Sequence, residues 1–207
     1  MPPPHIPDIP HTPAPRRRDQ WRSALSTIAI LVSAPLIALA ITSYVFQSYE
    51  VDGPSMETTL QNQDRLIVLK LPQSFARLTG KDYIPARGDI VVFAKRGMAD
   101  IDQHDKQLIK RVIGLPGDRV VVENGAVTIY NSTYPEGYDP DAGTEYPSVA
   151  TATPGNVDIR VEEGEVFVMG DNRTNSLDSR NFGSISSDEI VGKLAFRILP
   201  LDKAESY

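Results

Sequence analysis

The hydrophobic residues of this chain form one long run near the N-terminus and many short runs after it. Residues 24–46 are a nearly unbroken apolar stretch of 23 residues. At about 1.5 Å per residue they make about 35 Å of helix, enough to cross a hydrocarbon core of about 30 Å. Pro35 lies inside the run, which a membrane helix tolerates when neighbouring groups satisfy the freed carbonyl. The pattern predicts a transmembrane helix over residues 23–46.

From residue 47 to residue 207 the apolar runs are short, rich in valine and isoleucine, and separated by Gly, Pro and Asp. This pattern is typical of antiparallel strands, and helical periodicity is weak throughout. Asn124-Gly125 predicts a type I′ hairpin, and the Gly- and Pro-rich residues 131–158 predict a long surface excursion. We therefore expect a mainly β domain, an antiparallel sheet or partial barrel. The predicted strands are residues 66–69, 90–93, 108–113, 120–123, 126–130, 166–169 and 190–199.

The sequence before the apolar run predicts a disordered tail over residues 1–22. Its first 15 residues include seven prolines, and four arginines follow, whereas the sequence after the run, QSYEVD, carries only acids. The positive-inside rule then places the N-terminus in the cytoplasm and residues 47–207 outside. A cleavable signal peptide ending at Ala38-Leu39-Ala40 is the alternative. The run continues through Phe46, farther than a signal peptide needs, and a mature chain that starts at Ile41 would refute the anchor.

Composition removes several classes of chemistry. The chain has no cysteine, which excludes thiol proteases, disulfides and cysteine-ligated metals. It has three histidines, of which only His104 lies outside the tail, and it lacks the HExxH, P-loop and dinucleotide-binding motifs. We therefore predict no cofactor and no metal site. A net charge of −6 makes nucleic acid an unsuitable partner.

A hydrolase of this composition needs Ser or Thr as nucleophile and lysine as base. Ser55 follows Gly53-Pro54 in VDGPSMETTL, where the plain interpretation is a turn residue. Lys110 lies in QLIKRVIGLPGD, on the predicted strand face of Leu108 and Val112. If that face is buried, desolvation lowers the lysine pKa toward neutrality, and a neutral lysine can deprotonate a serine. The alternative is a strand lysine whose ammonium reaches water.

A third segment, MGDNRTNSLDSRNFG, is densely polar and follows a predicted strand. Buried polar groups must hydrogen-bond to one another, so most of these residues are interpreted as a turn held by pairing of Asp178 with Arg180. One of its serines is a candidate for orienting a neutral lysine, because a hydroxyl does this without recharging the amine as a carboxylate would.

Together, VDGPSMETTL, RGDIVVF, IKRVIGLPGD and GDNRTNSLDSR resemble, in this order, the signature boxes of bacterial type I signal peptidases. The resemblance covers residue 24 to the last predicted strand. It implies a catalytic β domain of signal-peptidase type, with Ser55 as nucleophile, Lys110 as general base and Ser176 orienting the lysine. Asp178 and Arg180 are the implied supporting pair. The residues implied to line the substrate pockets are Val51, Met56, Leu60 and Ile109.

The resemblance also implies a substrate and a setting. The substrate is the signal peptide of an exported preprotein, cut after small residues of Ala-x-Ala type. The partners are the lipid bilayer and, in addition, the export machinery. The enzyme would be a single-pass protein of the plasma membrane, or of the thylakoid if the source has one. Rival interpretations are a protease for one dedicated precursor, such as a pilin-like subunit, and an anchored β domain that binds without catalysis.

Two positions depart from the family pattern. Many relatives carry Ser or Thr where this chain has Gly53, and that hydroxyl helps to hold the oxyanion. Loss of such a donor can cost about 100- to 1000-fold in rate, so we hypothesise that a backbone or water donor works with the Ser55 N–H. Thr58 stands where the family usually has proline, which loosens the turn and removes no reacting group.

Overall fold

The computed structural model describes residues 17–99, 105–142 and 152–207. His104, residues 1–16 of the predicted tail and the middle of the predicted excursion lie outside the described residues, whereas residues 17–22 of that tail are part of a helix. The described chain divides into two units, Met1–Ile41 and Thr42–Tyr207. Each is taken by itself below.

The predicted membrane helix is present as α1, which covers Arg17–Tyr44 and includes Pro35. Within it, Leu25–Tyr44 is long and apolar enough to cross a membrane, with a mean hydropathy of 2.2. The helix ends two residues before the predicted limit because strand β1 begins at Phe46. Its last residues, Thr42 to Tyr44, belong to the second unit.

The second unit is mainly β. Its strands are β1 (Phe46–Glu50), β2 (Arg65–Leu69), β3 (Ile90–Ala99), β4 (Asp105–Gly114), β5 (Arg119–Glu123), β6 (Ala126–Tyr130), β7 (Val157–Arg160), β8 (Glu165–Met169), β9 (Ile185–Ser186), β10 (Ile190–Leu199) and β11 (Glu205–Ser206). Its α-helices are α2 (Leu71–Thr79) and α3 (Ser179–Phe182), and two 3-10 turns cover Ser187–Glu189 and Leu201–Lys203.

In the described part of the chain these strands form two antiparallel sheets. The larger has eight strands in the order β1-β2-β10-β3-β4-β8-β9, with β11 beside β10, and the smaller has the order β6-β5-β7. All seven predicted strands are present, and the mainly β, antiparallel fold class is confirmed. The β5–β6 hairpin turns through Asn124 at φ 51° and Gly125 at φ 82°, both positive as a type I′ turn requires.

The sequence predicted no helix after residue 47, and α2 shows that this prediction was wrong. This helix leaves Leu71, Phe75 and Leu78 exposed and buries Gln73 and Ala76. Its apolar side therefore faces outward, which is the reverse of the usual pattern. The segment expected to form a surface excursion, residues 131–158, is also only partly at the surface. Within residues 131–158 the structure contains strand β7, and the Thr153 side chain is buried.

Three clusters of buried side chains form the core of the second unit. One joins the smaller sheet to β4 and β8 through Ile113, Phe167 and Met169. A second fills the space around β3, β4 and β8. The third lies beneath the segment between β1 and β2 and includes Met56 and Leu60. Because these clusters cover both faces of β4 near its end, a charged residue there is removed from water.

Candidate active site

The nucleophile candidate, Ser55, lies in the connection between β1 and β2. The ends of this connection are joined by backbone hydrogen bonds, from the Val51 N–H to the Asp64 carbonyl at 3.0 Å and from the Gln63 N–H to the Val51 carbonyl at 2.9 Å. Met56 and Leu60 have no exposed surface and fill the core beneath it. Ser55 itself is half-buried, so its hydroxyl is held on a supported loop and keeps an open side.

Lys110 lies on β4, opposite Val91 of β3. The residue is 2% exposed, and its Nζ donates to the Ser55 Oγ at 2.7 Å and to the Ile109 carbonyl at 2.7 Å. A general base must lie within about 2.6–3.2 Å of the atom whose proton it takes. The structure therefore joins two residues 55 positions apart in the geometry of a nucleophile and its base.

Burial lowers the pKa of Lys110 from its ordinary value of 10.5 to about 8. The carboxylates of Asp178 and Asp171 oppose this by favouring the ammonium, whereas the Lys106 ammonium adds to the lowering of the pKa. Desolvation outweighs these charges. Near neutral pH a useful fraction of Lys110 is therefore neutral and able to accept a proton.

The predicted supporting pair is formed. Asp178 is fully buried. Its carboxylate accepts hydrogen bonds from the Arg180 Nε and Nη2 at 2.8 Å each and from the Gly170 N–H at 3.0 Å. Burial opposes ionisation of this carboxyl, yet the Arg180 guanidinium and the Gly170 N–H hold its pKa below the ordinary value. Asp178 also caps α3, so it ties the polar segment to Gly170, the residue that follows β8.

Ser176 is close to the dyad but does not hydrogen-bond to the lysine. Its Oγ is buried and meets the geometric criteria for a hydrogen bond with no described residue, but its hydroxyl lies close enough to the Asp178 carboxyl to help lower the pKa of that group. A side chain at Gly170 would meet both this Oγ and the Ser55 carbonyl, so Ser176, Gly170 and Ser55 are packed directly together. Besides the Ser55 hydroxyl, the acceptor for the Lys110 Nζ is the Ile109 carbonyl. The orienting role of Ser176 stays a prediction.

A second ion pair near the site was not anticipated from the sequence. Arg111, next to the lysine on β4, bonds through its Nε and Nη2 to Asp171 at 2.8 and 2.6 Å, and both residues are buried. Asp171 in turn accepts from the Thr59 hydroxyl at 2.5 Å. The strand that carries the base is thus tied to the loop that carries the nucleophile. The only signal in the sequence was two adjacent cations in an apolar strand.

The polar segment also holds the nucleophile loop through its backbone. The Asn172 N–H donates to the Ser55 carbonyl at 3.0 Å, and the Asn172 side chain donates to the Pro54 carbonyl at 3.1 Å. Its neighbour Arg173 is 1% exposed and pairs with Asp141, with Nη2 to Oδ1 at 2.6 Å. Part of the excursion expected at the surface therefore supports the site.

These residues stand in a chain whose relatives are known. Residues 24–199 match the family model described as signal peptidase, peptidase S26. The chain is 33% identical over 183 residues to signal peptidase I of Bacillus licheniformis, covering 87% of this chain and 91% of that protein. It is 36% identical over 191 residues to signal peptidase I P of Bacillus subtilis subsp. natto, covering 89% and 96%. This chain belongs to the signal peptidase family.

Other matches extend the range of organisms. The probable signal peptidase I-1 of Synechocystis is 34% identical over 185 residues, which are 88% of this chain and 86% of that protein. A solved signal peptidase I structure from Enterococcus faecalis V583 has 26% identity and a TM-score of 0.40, and covers 56% of this chain and 100% of that one. That TM-score is too low to add to the family assignment, which rests on the sequence matches.

Within this signal peptidase family member, the four residues expected to line substrate pockets fall into two groups. Ile109 is partly exposed beside the dyad. Val51 is 4% exposed, and Met56 and Leu60 are 0% exposed, in the core cluster beneath the nucleophile loop. The structure places these three under the loop, where they support Ser55 and offer little surface to a peptide.

The two departures from the family pattern have a structural setting. Gly53 has φ +99° and donates its N–H to the Asn62 side chain at 2.9 Å. There is space for a side chain, but L-residues rarely adopt this backbone conformation, so a serine here would be strained. Thr58 is exposed on the same loop.

Proposed function

We propose that this chain is the peptidase that removes N-terminal signal peptides from exported preproteins, with Ser55 as nucleophile and Lys110 as general base. Family membership makes the chain a serine endopeptidase. The observation that carries the residue assignment is the 2.7 Å contact between the Lys110 Nζ and the Ser55 Oγ, with the lysine buried. Sites that combine these two features are suited to acyl transfer.

In the proposed reaction neutral Lys110 takes the proton of the Ser55 hydroxyl while the oxygen attacks the scissile carbonyl. The resulting ammonium returns a proton to the leaving amine, and the acyl group stays on the serine as an ester. Lys110 then accepts a proton from water while the water oxygen attacks the ester, and it returns that proton to the Ser55 oxygen as the ester bond breaks. The new carboxylic acid loses its proton to solvent, and the Ser55 hydroxyl and neutral Lys110 are restored. Lys110 is the proton acceptor in both steps, so the proposed reaction needs no cofactor.

The substrate would bind by strand addition at the free edge of β4. Among the described residues, β8 pairs with β4 only from Arg111 onward, so the preceding part of β4 has a partner on the β3 side alone. Ile109 lies on this edge next to the dyad. An extended peptide placed there would bring its carbonyl to Ser55, and small side chains at the cleavage site would avoid a clash with Ile109.

We propose that Leu25–Tyr44 anchors the enzyme, with the N-terminus in the cytoplasm and the catalytic unit outside. The length and hydropathy of this segment support the anchor, and the arginines before it support the orientation. The lipid bilayer and the export machinery would then be its partners in the plasma membrane or a thylakoid. Confining enzyme and preprotein to one membrane face raises their frequency of encounter.

The decisive experiment is cleavage of a preprotein with an Ala-x-Ala site by the full chain in lipid. Lys110→Ala should slow cleavage by about 100- to 10,000-fold, the usual contribution of a general base, and Ser55→Ala should form no acyl-enzyme. Lys81→Ala and Ser132→Ala change exposed residues of the same types and should cleave normally.

Two outcomes would count against the proposal. If Lys110→Ala cleaves as fast as the unaltered chain, the base assignment is wrong. If the unaltered chain cuts none of a panel of Ala-x-Ala preproteins, the general peptidase is wrong, and cleavage of a single precursor would favour the dedicated protease.

A further inference from the structure

Helix α2 turns its apolar residues away from the protein. The exposed fractions of Leu71, Phe75 and Leu78 are 50%, 64% and 84%. At about 100° per residue, these three positions fall within an arc of about 60° on the helix surface. Gln73 and Ala76, the buried residues, lie on the opposite side. A surface helix of a water-soluble domain has the reverse arrangement.

Polar contacts hold α2 in this orientation. The Gln73 side chain donates to the Ser187 carbonyl at 3.0 Å within the protein. The Arg77 guanidinium donates to the carbonyls of Asp188 at 3.0 Å and Ile190 at 3.4 Å. Because these contacts fix the rotation of the helix about its axis, the apolar stripe of Leu71, Phe75 and Leu78 is a built surface.

The beginning of α2 is bonded to the end of the candidate membrane span. The Lys70 N–H donates to the Val45 carbonyl at 2.8 Å, and the Lys70 ammonium donates to the Ser43 carbonyl at 2.9 Å. The Ser74 hydroxyl donates to the Tyr44 carbonyl at 3.1 Å. The candidate span ends at Tyr44. A chain that leaves the bilayer at Tyr44 therefore has the first turn of α2 hydrogen-bonded at its exit point.

We propose that α2 is a second membrane attachment, lying along the bilayer surface with its apolar stripe inserted among the lipids. This inference rests on the proposed membrane anchor. Interfacial helices bury their apolar face by about 5–10 Å, a depth that leucine and phenylalanine side chains reach. Lys70, just before the helix, and Arg77, within it, donate to carbonyl oxygens of the protein. The apolar stripe is therefore the feature expected to bind the bilayer, and it is tested without anionic lipid.

Fluorescence of a labelled cysteine tests this directly, because the chain contains no cysteine of its own. Phe75→Cys in the full chain is labelled with an environment-sensitive fluorophore and reconstituted into phosphatidylcholine vesicles. Glu123→Cys, an exposed residue in the β5–β6 hairpin, is the matched control. The label at residue 75 should emit at shorter wavelength, be quenched by nitroxide on the lipid chains and resist iodide. The control label at residue 123 should emit at longer wavelength, be quenched by iodide and be unaffected by nitroxide on the lipid chains.

Flotation of the vesicles separates the possible failures. If the protein floats and iodide quenches both labels equally, α2 does not insert and the proposal is overturned. If the protein does not float, the anchor itself is wrong and the proposal falls with it. Protection of residue 75 that appears only when other proteins are added would also overturn it, in favour of a protein partner. Preprotein cleavage, measured on the same samples, reports on the proposed function independently of these results.

Discussion

Raising the pH from 7 to 9 should increase kcat/KM about tenfold, because Lys110 acts as a base only when it is neutral. Its pKa is lowered by burial to about 8. At that value about 9% of the lysine is neutral at pH 7 and about 91% at pH 9, for a single titrating group. An unperturbed lysine at 10.5 would leave the enzyme far from its maximum throughout this range.

The assay is the initial rate of cleavage of a soluble Ala-x-Ala peptide, at substrate concentrations below KM, with the full chain in detergent. Under these conditions kcat/KM reports the titration of the free enzyme. Two variants should move the midpoint in opposite directions. Lys106→Gln should raise it, because the Lys106 charge lowers the pKa of Lys110, and Asp178→Asn should lower it, because the carboxylate raises that pKa. Circular dichroism at each pH checks that the protein stays folded.

Several results would refute this reasoning. A midpoint near 10.5 would mean that Lys110 is solvated in the working enzyme, and an activity maximum in acid would mean that it is not the base. If Lys106→Gln and Asp178→Asn moved the midpoint in the same direction, the electrostatic account of its pKa would be wrong.

Other substitutions test the cost of building the site. Lys110→Met should raise the free energy of unfolding at pH 7 by up to about 3 kcal/mol, at the expense of activity, because a pKa lowered from 10.5 to about 8 costs about 1.4 kcal/mol per unit. Urea unfolding should show this gain vanish as pH rises from 8 toward 10.5, where the unfolded chain alone still binds the proton. Asp171→Asn breaks a buried ion pair and should lower the free energy of unfolding by about 3–5 kcal/mol, whereas Asp158→Asn, in an equally short but exposed pair, should leave the urea midpoint nearly unchanged. Gly170→Ala places a methyl group against Ser176 and should cost about 1–3 kcal/mol and most of the activity, so a normal melting temperature and kcat would contradict the packing described here.

The strands and the candidate dyad could be predicted because their signals are local. Runs of valine and isoleucine between turn residues marked the seven predicted strands, and Asn124-Gly125 marked the hairpin. A chain without cysteine and with few histidines left serine or threonine with lysine as the residue types for a nucleophile and its base, and the resemblance to the family boxes implied Ser55 and Lys110. The order of the polar and apolar boxes then indicated the family, which the sequence matches confirm.

The features that could not be predicted concern residues whose environment is set by distant parts of the chain. The burial of Val51, Met56 and Leu60 depends on strands that pack beneath the loop from elsewhere, and their role in lining substrate pockets stays a prediction. The ion pair between Arg111 and Asp171 joins residues 60 positions apart. No local pattern distinguishes such a pair from two surface charges.

The sequence alone determined which segments are apolar enough to span or to form strands, and which side chains can perform acyl transfer. Tertiary structure decided the environment of those side chains, and with it their protonation and their contacts. The proposed role of Lys110 as a base near neutral pH depends on its burial in the assembled fold, because desolvation is set by the surrounding atoms and not by neighbours in the chain. The same holds for α2, whose apolar stripe points outward because Gln73 and Arg77 find their partners in a segment more than 100 residues away. Periodicity records which face of an element is apolar, and only the assembled fold determines what that face meets.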